Sequence, residues 1–417
     1  MKYYMSSLKI SLNKSVLSEV QIQINGSKSI SNRVLLIQAL SNKDAKITNI
    51  SNSGDTKIMQ RLLKNSNELV LDAGDAGTAF RFMTAYLALL PAKHFLTGSS
   101  SMLKRPISVL VEALNMIGAK ISYAGKNGYP PLSIGTPNLE KGKIELTINA
   151  SVSSQYISAL LMIAPCLPYG LTIKTENKVV SEPYIDMTIS LMQYFGANIT
   201  KFENSIKIDQ GKYNIIPYEV ESDWSAASYF YAFAAIAQSN VSVSIKTLYK
   251  NSLQGDSHIA DIMQSFGIKT TFSDDGTILI DNRERKRPLN FEYDFSNCPD
   301  LAQTVAVVCA ALNVPSLLSG LSTLKIKETD RIVALKTELE NMGAELDVDN
   351  ESLRILKGLD PNLSPKQINT WNDHRMAMSF APLVLVYGTL KFDDAAVVAK
   401  SYPEFWDDFK KLGISIN

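Results

Sequence analysis

The chain is 417 residues long, which is more than one hydrophobic core normally supports, so we expect two domains. Its 42 basic and 41 acidic residues give a net charge of +1, which excludes the strong overall field that holds nucleic acid or a membrane surface. Any anion that the protein binds must therefore be held by a local site.

Cysteine usage and hydropathy indicate a cytoplasmic protein. Cys166, Cys298 and Cys309 show no CxxC spacing and lie within or beside apolar segments, which predicts reduced, mostly buried thiols. No apolar run reaches membrane-spanning length, and the N-terminal residues lack the apolar core of a signal peptide. We therefore expect a cytoplasmic location, with neither a membrane nor a nucleic acid as partner.

One pattern recurs along the chain: a helical segment, a glycine and a short alternating strand. The glycines lie at positions 118, 196, 267, 343 and 413. A glycine at such a place fits a left-handed helix cap, which any side chain would disfavour. A shorter copy of the helix is predicted from Asp55 to Leu63, so the pattern predicts six repeated units.

Each unit has a second predicted helix, which begins with small polar residues and continues as an apolar run. The starts are Gly26–Ser29, Gly74–Thr78, Ser153–Tyr156, Ser222–Ser225, Cys298–Leu301 and Asn372–Arg375. Helices that are apolar on nearly all sides are buried, and the unpaired N–H groups at their starts attract anions. We predict an α/β protein of six β-α-β-α-β-β units, three per domain, with the helix starts facing an interdomain cleft.

The first start, Gly26 to Arg33, has the composition of a phosphate or carboxylate site. Lys28 supplies a mobile charge, Arg33 a forked donor, and Ser27, Ser29 and the backbone further hydrogen bonds. An ordinary serine-capped helix explains the stretch equally well. The stretch is not a Walker loop, because the GxxxxGK[ST] spacing is absent.

Weaker signals follow along the chain. Two glycines in Gly74–Thr78 would let a ligand approach the backbone, although a tight turn also explains them. Pro106 is predicted at a first helical position, so Arg105 would lie at the helix cap. Ser153–Gln155 and Ser181–Tyr184 offer neutral donors at two further helix starts.

Two acidic residues in the second half are candidates for proton transfer. Asp300 opens a very apolar helix, where partial burial would suit a base, although simple capping is the commoner cause. Lys327 and Arg331 are predicted to share one helical face, with Glu328 available for proton transfer between them. A solvated, charged first turn is the alternative interpretation of this stretch.

His374 lies between Asp373 and Arg375, which suggests an oriented polar cluster. The chain has two other histidines, His94 and His258, and no metal-ligand spacing links the three. We therefore predict no metal site.

Together these stretches resemble the 5-enolpyruvylshikimate-3-phosphate synthase (3-phosphoshikimate 1-carboxyvinyltransferase) family. The matching stretches follow the family's order over nearly the whole chain and are Gly26–Arg33, Gly74–Thr78, Lys104–Pro106, Ser153–Gln155, Ser181–Tyr184, Asp300, Lys327–Arg331, Asn372–Met378 and Ala399–Pro403. Lys327–Arg331 and Asn372–Met378 are the most specific.

The resemblance implies a two-domain inside-out α/β barrel with its active site in the interdomain cleft. The first domain would be discontinuous, comprising residues 1–19 and 223–417, and the second would span residues 20–222. A monomer is the family expectation.

The resemblance also implies transfer of the enolpyruvyl group of phosphoenolpyruvate to shikimate 3-phosphate, with release of phosphate. The reaction would pass through a tetrahedral intermediate, without a metal or organic cofactor. Asp300 would act as base and Glu328 as acid, and Lys28 would lie close to both the attacking hydroxyl and the leaving phosphate.

The resemblance assigns the remaining site residues to the two substrates. Those implied for phosphoenolpyruvate are Lys28, Gly77, Arg105, Gln155, Arg331, Arg375 and Lys400. Those implied for shikimate 3-phosphate are Lys28, Ser29, Arg33, Ser153, Ser154, Gln155, Ser181, Tyr184, Asp300 and Lys327, with His374 in support.

Three positions depart from the commonest family pattern. Asp75 and Thr323 replace asparagines, and Glu182 replaces a lysine. An acid at position 75 would oppose a nearby phosphate unless an arginine neutralises it. Gly77 keeps the small residue against which glyphosate fits in this family, so the resemblance implies inhibition by glyphosate.

Two alternatives stay open at this point. The enolpyruvyl transferases that act on UDP-N-acetylglucosamine share the architecture but commonly carry a reactive cysteine, or in some members an aspartate, ahead of the Arg-Pro element. The corresponding loop here, Thr97–Lys104, has no cysteine. A catalytically inactive relative that binds anions would have lost Asp300, Glu328 or Lys28, and all three are present.

Overall fold

A computed structural model describes residues 7–13, 16–139, 142, 144–149, 153–176, 181–363 and 367–417. The chain divides into a discontinuous unit, Met1–Asn25 with Glu221–Asn417, and an inserted unit, Gly26–Val220. These two names are used below.

Both crossovers differ from the predicted boundaries at 19/20 and 222/223. The first lies after Asn25, because the strand Glu19–Ile22 pairs in parallel with Ser242–Ile245 of the discontinuous unit. The second lies before Glu221, because the hydroxyl of Ser222 donates to the carbonyl of Ile24 in the same unit.

The α-helices are numbered in chain order. They are α1 (Lys28–Ser41), α2 (Gly54–Lys64), α3 (Gly77–Leu87), α4 (Ser108–Met116), α5 (Ser154–Ile163), α6 (Glu182–Tyr194), α7 (Trp224–Ile236), α8 (Ile259–Gln264), α9 (Ala302–Ala311), α10 (Arg331–Glu340), α11 (His374–Phe380), α12 (Val384–Tyr387) and α13 (Phe405–Lys410).

The strands of the first half of the chain are short. They are β1 (Leu8–Leu12), β2 (Glu19–Ile22), β3 (Ile47–Thr48), β4 (Val70–Asp72), β5 (His94–Thr97), β6 (Lys120–Tyr123), β7 (Leu132–Gly135), β8 (Glu145–Asn149), β9 (Leu171–Glu176), β10 (Ile199–Lys201) and β11 (Ser205–Ile208). Those that follow are β12 (Tyr218–Glu219), β13 (Ser242–Ile245), β14 (Lys269–Phe272), β15 (Ile278–Asp281), β16 (Phe291–Asp294), β17 (Ser316–Ser319), β18 (Glu345–Val348), β19 (Leu353–Lys357), β20 (Thr389–Phe392) and β21 (Ile414–Ile416).

Four sheets in the described part of the chain share one strand order. They are β4-β5-β7-β6 and β8-β9-β11-β10 in the inserted unit, and β2-β13-β15-β14 and β16-β17-β19-β18 in the discontinuous unit. In each sheet the first pair is parallel and the other two pairs are antiparallel. The smaller sheets are β20-β1-β21 and the parallel pair β3-β12. The predicted α/β class is confirmed.

The predicted glycine caps end α4, α6, α8, α10 and α13. Gly118, Gly196, Gly267, Gly343 and Gly413 have φ values from +72° to +105°. A Cβ would lie 1.9 Å from the carbonyl oxygen of Asn138 at Gly118, and a Cβ at Gly267 would lie equally close to backbone. Glycine is therefore required at these two positions by close approach as well as by conformation.

The predicted apolar helices begin at the expected places and are buried. Every residue of α7 except Ser225 and every residue of α9 except Ala311 is buried, and α11 is buried throughout. In the inserted unit α5 packs against α3 and α6. Polar groups of such helices are accessible mainly at their first residues, which is where the predicted site residues lie.

Candidate active site

The start of α1 places Lys28 beside a buried acid. Ser27 caps the helix, and its side chain accepts a hydrogen bond from the N–H of Ile30. Lys28 is the first helical residue, and its Nζ lies 3.6 Å from Oδ2 of Asp55. Asp55 is the second residue of the neighbouring α2. The sequence analysis did not predict it as a site residue.

Arg33 ties three helices of the inserted unit together. Its Nε donates to Thr188 Oγ1 at 2.7 Å, and its Nη2 donates to Ser158 Oγ at 3.1 Å. The carbonyls of Ser29 and Tyr184 accept its remaining hydrogen bonds, at 2.9 and 3.2 Å. Burial lowers the pKa of Arg33 to about 10, so the side chain stays charged at neutral pH. Its predicted contact with shikimate 3-phosphate stays a prediction.

Gly77 begins α3 and lies against two arginines. A Cβ at this position would lie 2.7 Å from Nη1 of Arg81 and 3.0 Å from Nη1 of Arg105. Arg81 also donates to the carbonyl of Gly77 and lies over the ring of Tyr156. Gly77 and Arg105, both predicted for phosphoenolpyruvate, are thus brought together.

The predicted helix-cap position of Arg105 is wrong. α4 begins at Ser108, and Arg105 instead follows a 3₁₀ turn, Met102–Lys104. The carbonyl of Pro106 accepts a 2.5 Å hydrogen bond from the hydroxyl of Tyr156, and the first hydrogen bonds of α4 are accepted by the carbonyl of Ile107. Proline fixes φ at a value that suits an extended loop as well as a first helical turn, so its presence does not decide between them.

The starts of α5 and α3 meet through a side-chain hydrogen bond. Ser153 caps α5 and accepts from the N–H of Gln155 at 3.3 Å. The amide of Gln155 donates to Thr78 Oγ1 at 3.2 Å. Ser154 is buried, and Ser181, which precedes α6, is buried in a left-handed conformation with φ of 59°.

Two of the three residues that depart from the family pattern, Asp75 and Glu182, interact with nearby side chains. Asp75 Oδ1 accepts a hydrogen bond from Ser101 Oγ at 2.6 Å, and another from Ser99. Glu182 forms a 2.8 Å ion pair with Lys201. Oγ1 of Thr323 is buried and has no hydrogen-bond partner among the described residues.

Arg331 is the centre of the charged cluster in the discontinuous unit. Its Nε donates to Asp373 at 2.6 Å, while Nη1 and Nη2 donate to Asp300 and Glu328, both at 2.9 Å. Burial would lower the pKa of Arg331, but the three carboxylates outweigh it and raise that pKa above its usual range. Asp300 and Glu328 are therefore held side by side by one guanidinium.

Further cations surround the same two carboxylates. Arg375 Nη2 lies 2.9 Å from Asp300 Oδ2, and Lys400 Nζ lies 2.8 Å from Glu328 Oε1. Lys327 Nζ lies 3.9 Å from Asp300 Oδ1, and burial lowers its pKa. With Arg331 and Asp373, the cluster has four cations for three carboxylates. The excess of positive charge suits an anionic ligand.

Lys327 and Arg331 do not share a helical face, contrary to the prediction. Asp330 caps α10, because its side chain accepts from the N–H groups of Ile332 and Val333, so the helix begins only at Arg331. Lys327 precedes the helix. The two cations nevertheless converge, because both reach Asp300.

Asp300 and Asp373 differ in their positions relative to the helices that follow them. Asp300 is the second residue of a 3₁₀ turn, Pro299–Leu301, and is the cap residue of neither that turn nor α9. Asp373 caps α11, and its Oδ1 accepts from the N–H of Arg375 at 2.8 Å. His374 is buried, with Nδ1 3.6 Å from Asp373 Oδ1, as the predicted polar cluster requires.

Two residues near Arg375 were not predicted as site residues. Nη2 of Arg375 donates to Ser225 Oγ at 3.3 Å, and Ser225 donates a short hydrogen bond to Asp256. Burial, together with nearby Asp300, raises the pKa of Asp256 to about 6. Asp256 lies in a 3₁₀ turn with no recognisable motif, so no local signal could have identified it.

None of the helices in the part of the chain that the structure describes is long and apolar enough to cross a membrane. Within the same ranges, no group of three His, Cys, Asp or Glu side chains could hold a metal ion.

A buried guanidinium that holds two partly exposed carboxylates, surrounded by further cations, is typical of an enzyme that binds small anions and transfers protons. Comparison with known proteins gives the family. The sequence model of EPSP synthase (3-phosphoshikimate 1-carboxyvinyltransferase) matches residues 13–65 and 61–409. The chain therefore belongs to the EPSP synthase family.

Individual relatives agree with this assignment. A 3-phosphoshikimate 1-carboxyvinyltransferase of Bacteroides fragilis (strain YCH46) is 45% identical over 398 residues, covering 95% of each chain. That of Histophilus somni (strain 2336) is 35% identical over 434 residues, covering 96% of this chain and 98% of the relative. The fold is similar to the solved EPSP synthase of Acinetobacter baumannii, with a TM-score of 0.80, 20% identity and coverage of 98% and 100% of the two chains.

Proposed function

We propose that this protein is a 3-phosphoshikimate 1-carboxyvinyltransferase. It transfers the enolpyruvyl group of phosphoenolpyruvate to shikimate 3-phosphate, giving 5-enolpyruvylshikimate 3-phosphate and phosphate, as a step of aromatic amino acid and chorismate biosynthesis. The observation that carries the proposal is the pair of carboxylates, Asp300 and Glu328, each 2.9 Å from the buried guanidinium of Arg331.

The reaction needs one group that gives a proton and one that takes a proton. In the addition step Glu328 protonates the methylene carbon of phosphoenolpyruvate, while Asp300 removes the proton of the attacking hydroxyl, whose oxygen bonds to the adjacent carbon. In the elimination step the resulting methyl group loses a proton and the phosphate leaves. Lys28 assists at the hydroxyl and at the departing phosphate.

The cations explain how two anionic substrates can be held together. Arg375 and Lys400 pair with Asp300 and Glu328 at 2.9 and 2.8 Å. A bound phosphate or carboxylate would take over part of this positive charge, leaving the two side-chain carboxylates less compensated. The protonated form of Glu328 would then be favoured when substrate is present.

The remaining assignments follow the family motifs. Gly77, Arg105 and Gln155 of the inserted unit bind phosphoenolpyruvate together with Arg331, Arg375 and Lys400. The residues assigned to shikimate 3-phosphate are Lys28, Ser29, Arg33, Ser153, Ser154, Gln155, Ser181, Tyr184, Asp300 and Lys327. The contact of Gln155 with Thr78, next to Gly77, supports its place in the first group. The predicted location of the site in a cleft between the domains stays a prediction.

We also propose the detailed fold, the location, the oligomeric state and the cofactor requirement of the protein. The fold is an inside-out α/β barrel of six repeated units, for which the shared strand order of four sheets is the supporting observation. The protein acts in the cytoplasm as a monomer. It uses no metal or organic cofactor.

The test is phosphate release from purified protein that is given phosphoenolpyruvate with shikimate 3-phosphate or with UDP-N-acetylglucosamine. We expect turnover with shikimate 3-phosphate alone, and a loss of about 100-fold or more in kcat for Asp300→Asn and Glu328→Gln. Turnover with only the sugar nucleotide would place the protein among the sister transferases. No turnover with either acceptor would make it an inactive relative.

A further inference from the structure

The segment that leads into α11 has an unusual backbone. Trp371 and Asn372 are consecutive residues in the left-handed region, with φ of 56° and 53°. Asparagine tolerates this conformation, but a bulky residue such as tryptophan rarely adopts it. Such a conformation persists only where the surrounding structure fixes it, and it occurs often near functional sites.

Glu338 holds this segment by three hydrogen bonds, and Oδ1 of Asp393 accepts a fourth from the N–H of Thr370 at 2.8 Å. Glu338 is buried, with 1% of its surface exposed. Its Oε1 accepts from the indole Nε1 of Trp371 at 2.9 Å and from the amide of Asn369 at 3.1 Å, while Oε2 accepts from the N–H of Asn369 at 3.2 Å. One carboxylate therefore holds a backbone group, an amide side chain and the tryptophan ring of the same short segment.

A second residue of α10, Arg331, holds the other end of the segment. Glu338 and Arg331 both lie on α10, seven residues or about two turns apart, and so on similar faces. Arg331 binds Asp373 at 2.6 Å, directly after the two left-handed residues. The segment from Asn369 to Asp373 is thus attached to α10 at both ends.

We propose that Glu338 is a positioning residue for the anion-binding arginines. By fixing Asn369 and Trp371, it sets the left-handed turn that places Asp373 against Arg331 and presents Arg375 at the start of α11. This inference rests on the proposed function, in which Arg331 and Arg375 bind phosphoenolpyruvate. Glu338 itself touches neither arginine in the described contacts and takes no part in proton transfer.

The inference makes a specific kinetic prediction. In Glu338→Gln the amide oxygen can still accept from Trp371, but the new NH₂ group has to face a donor of Asn369, so at least one of the three hydrogen bonds is lost. A displaced Arg375 should raise KM for phosphoenolpyruvate about tenfold. KM for shikimate 3-phosphate should change by less than about twofold, because most of the groups assigned to it alone belong to the inserted unit; Asp300, which contacts Arg331 and Arg375, is an exception.

A spectroscopic measurement reports on the hydrogen bond itself. The chain has three tryptophans, so ¹H–¹⁵N spectra contain three indole signals, and Trp371→Phe identifies the one that belongs to Trp371. Glu338→Gln should shift that signal and leave the signals of Trp224 and Trp406 in place. General destabilisation would not single out one indole.

Asn282→Ala serves as the matched control. Asn282 is fully buried in the same unit and makes three hydrogen bonds, to Val241, Ala234 and Ser239, none of which involves the candidate site. It should lower Tm at least as much as Glu338→Gln while leaving KM for phosphoenolpyruvate unchanged. Trp371→Phe, which removes one donor only, gives a milder second variant if Glu338→Gln does not fold.

Arg331→Lys separates failure of this inference from failure of the proposed function. If Arg331→Lys raises KM for phosphoenolpyruvate while Glu338→Gln and Trp371→Phe do not, the positioning role is wrong and the proposed site stands. If none of the three raises it, the assignment of Arg331 to phosphoenolpyruvate is itself wrong. Equal kinetic changes in Glu338→Gln and Asn282→Ala would also overturn the inference, because stability alone would then explain them.

Discussion

Replacement of Asp373 by asparagine should lower the free energy of unfolding of the discontinuous unit by about 3 kcal/mol. Asp373 is fully buried, and it accepts a 2.6 Å hydrogen bond from Arg331, which is 2% exposed. Removing one member of a buried ion pair costs about 3 to 5 kcal/mol, because the other charge stays buried. We expect the lower end, since Arg331 keeps Asp300 and Glu328 as partners.

Asparagine keeps the shape of Asp373 but cannot serve both of its donors. One oxygen of Asp373 accepts from Arg331 Nε and the other from the N–H of Arg375 at 2.8 Å. Asparagine has a single oxygen, so its NH₂ group would face one of these two donors. The lost charge and the lost acceptor therefore act in the same direction.

Asp281 provides a matched control with nearly the same local hydrogen bonds. Its two oxygens accept from the N–H of Arg283 at 2.8 Å and from Arg283 Nε at 2.7 Å. Arg283, however, is 69% exposed, and exposed ion pairs contribute only about 0 to 1 kcal/mol. Asp281→Asn should therefore lower the free energy of unfolding by no more than about 1 kcal/mol.

The assay is urea or thermal unfolding followed by tryptophan fluorescence. Trp224, Trp371 and Trp406 all lie in the discontinuous unit, so the signal reports on that unit. A loss of about 3 kcal/mol corresponds to a fall of about 6 to 12 °C in Tm for a unit of this size. Equal losses for Asp373→Asn and Asp281→Asn would refute the reasoning that burial of Arg331 sets the magnitude.

Three further predictions concern ligands and pH. Gly77→Ala should raise KM for phosphoenolpyruvate about tenfold. The reason is that its Cβ would lie 2.7 Å from Arg81 Nη1 and 3.0 Å from Arg105 Nη1. An unchanged KM would show that both guanidinium groups can move aside freely. Glyphosate should inhibit competitively with phosphoenolpyruvate, and an inhibition constant far above KM would contradict this. Burial raises the pKa of Asp256 to about 6. Between about pH 4 and 6 the folded state therefore holds a proton that the unfolded state has lost, so Tm should fall as the pH rises through this range. Asp256→Asn should flatten that slope, and a curve parallel to that of the unchanged protein would argue against the assignment.

Features set by local physics could be predicted from the sequence. The glycine caps, such as Gly118 and Gly343, follow from one residue's conformational preference and the recurrence of the same plan. The helix starts at Ser27 and Ser153 follow from short polar side chains before apolar runs, and both residues do cap their helices. The α/β class follows from these elements together.

Features that depend on distant contacts or on ambiguous local signals were missed or misplaced. Pro106 suits a loop as well as a helix, and in the structure its carbonyl accepts a hydrogen bond from Tyr156, 50 residues away in the chain. Lys327 seemed to lie on α10, but the cap at Asp330 starts the helix later. Asp256 lies beside Ser225, which is 31 positions earlier in the chain, so no short sequence motif contains both residues.

The burial of the helices explains why several of the candidate site residues lie at helix starts. A helix such as α9, buried on all sides, has no face for polar groups, so a polar side chain can reach a ligand only from its ends. The N-terminal end also presents free N–H groups and a partial positive charge, which suit anions. Lys28, Gly77 and Arg375 each lie within the first two residues of a largely buried helix. In a fold of this kind, the first turn of a largely buried helix is therefore a good place to search for function.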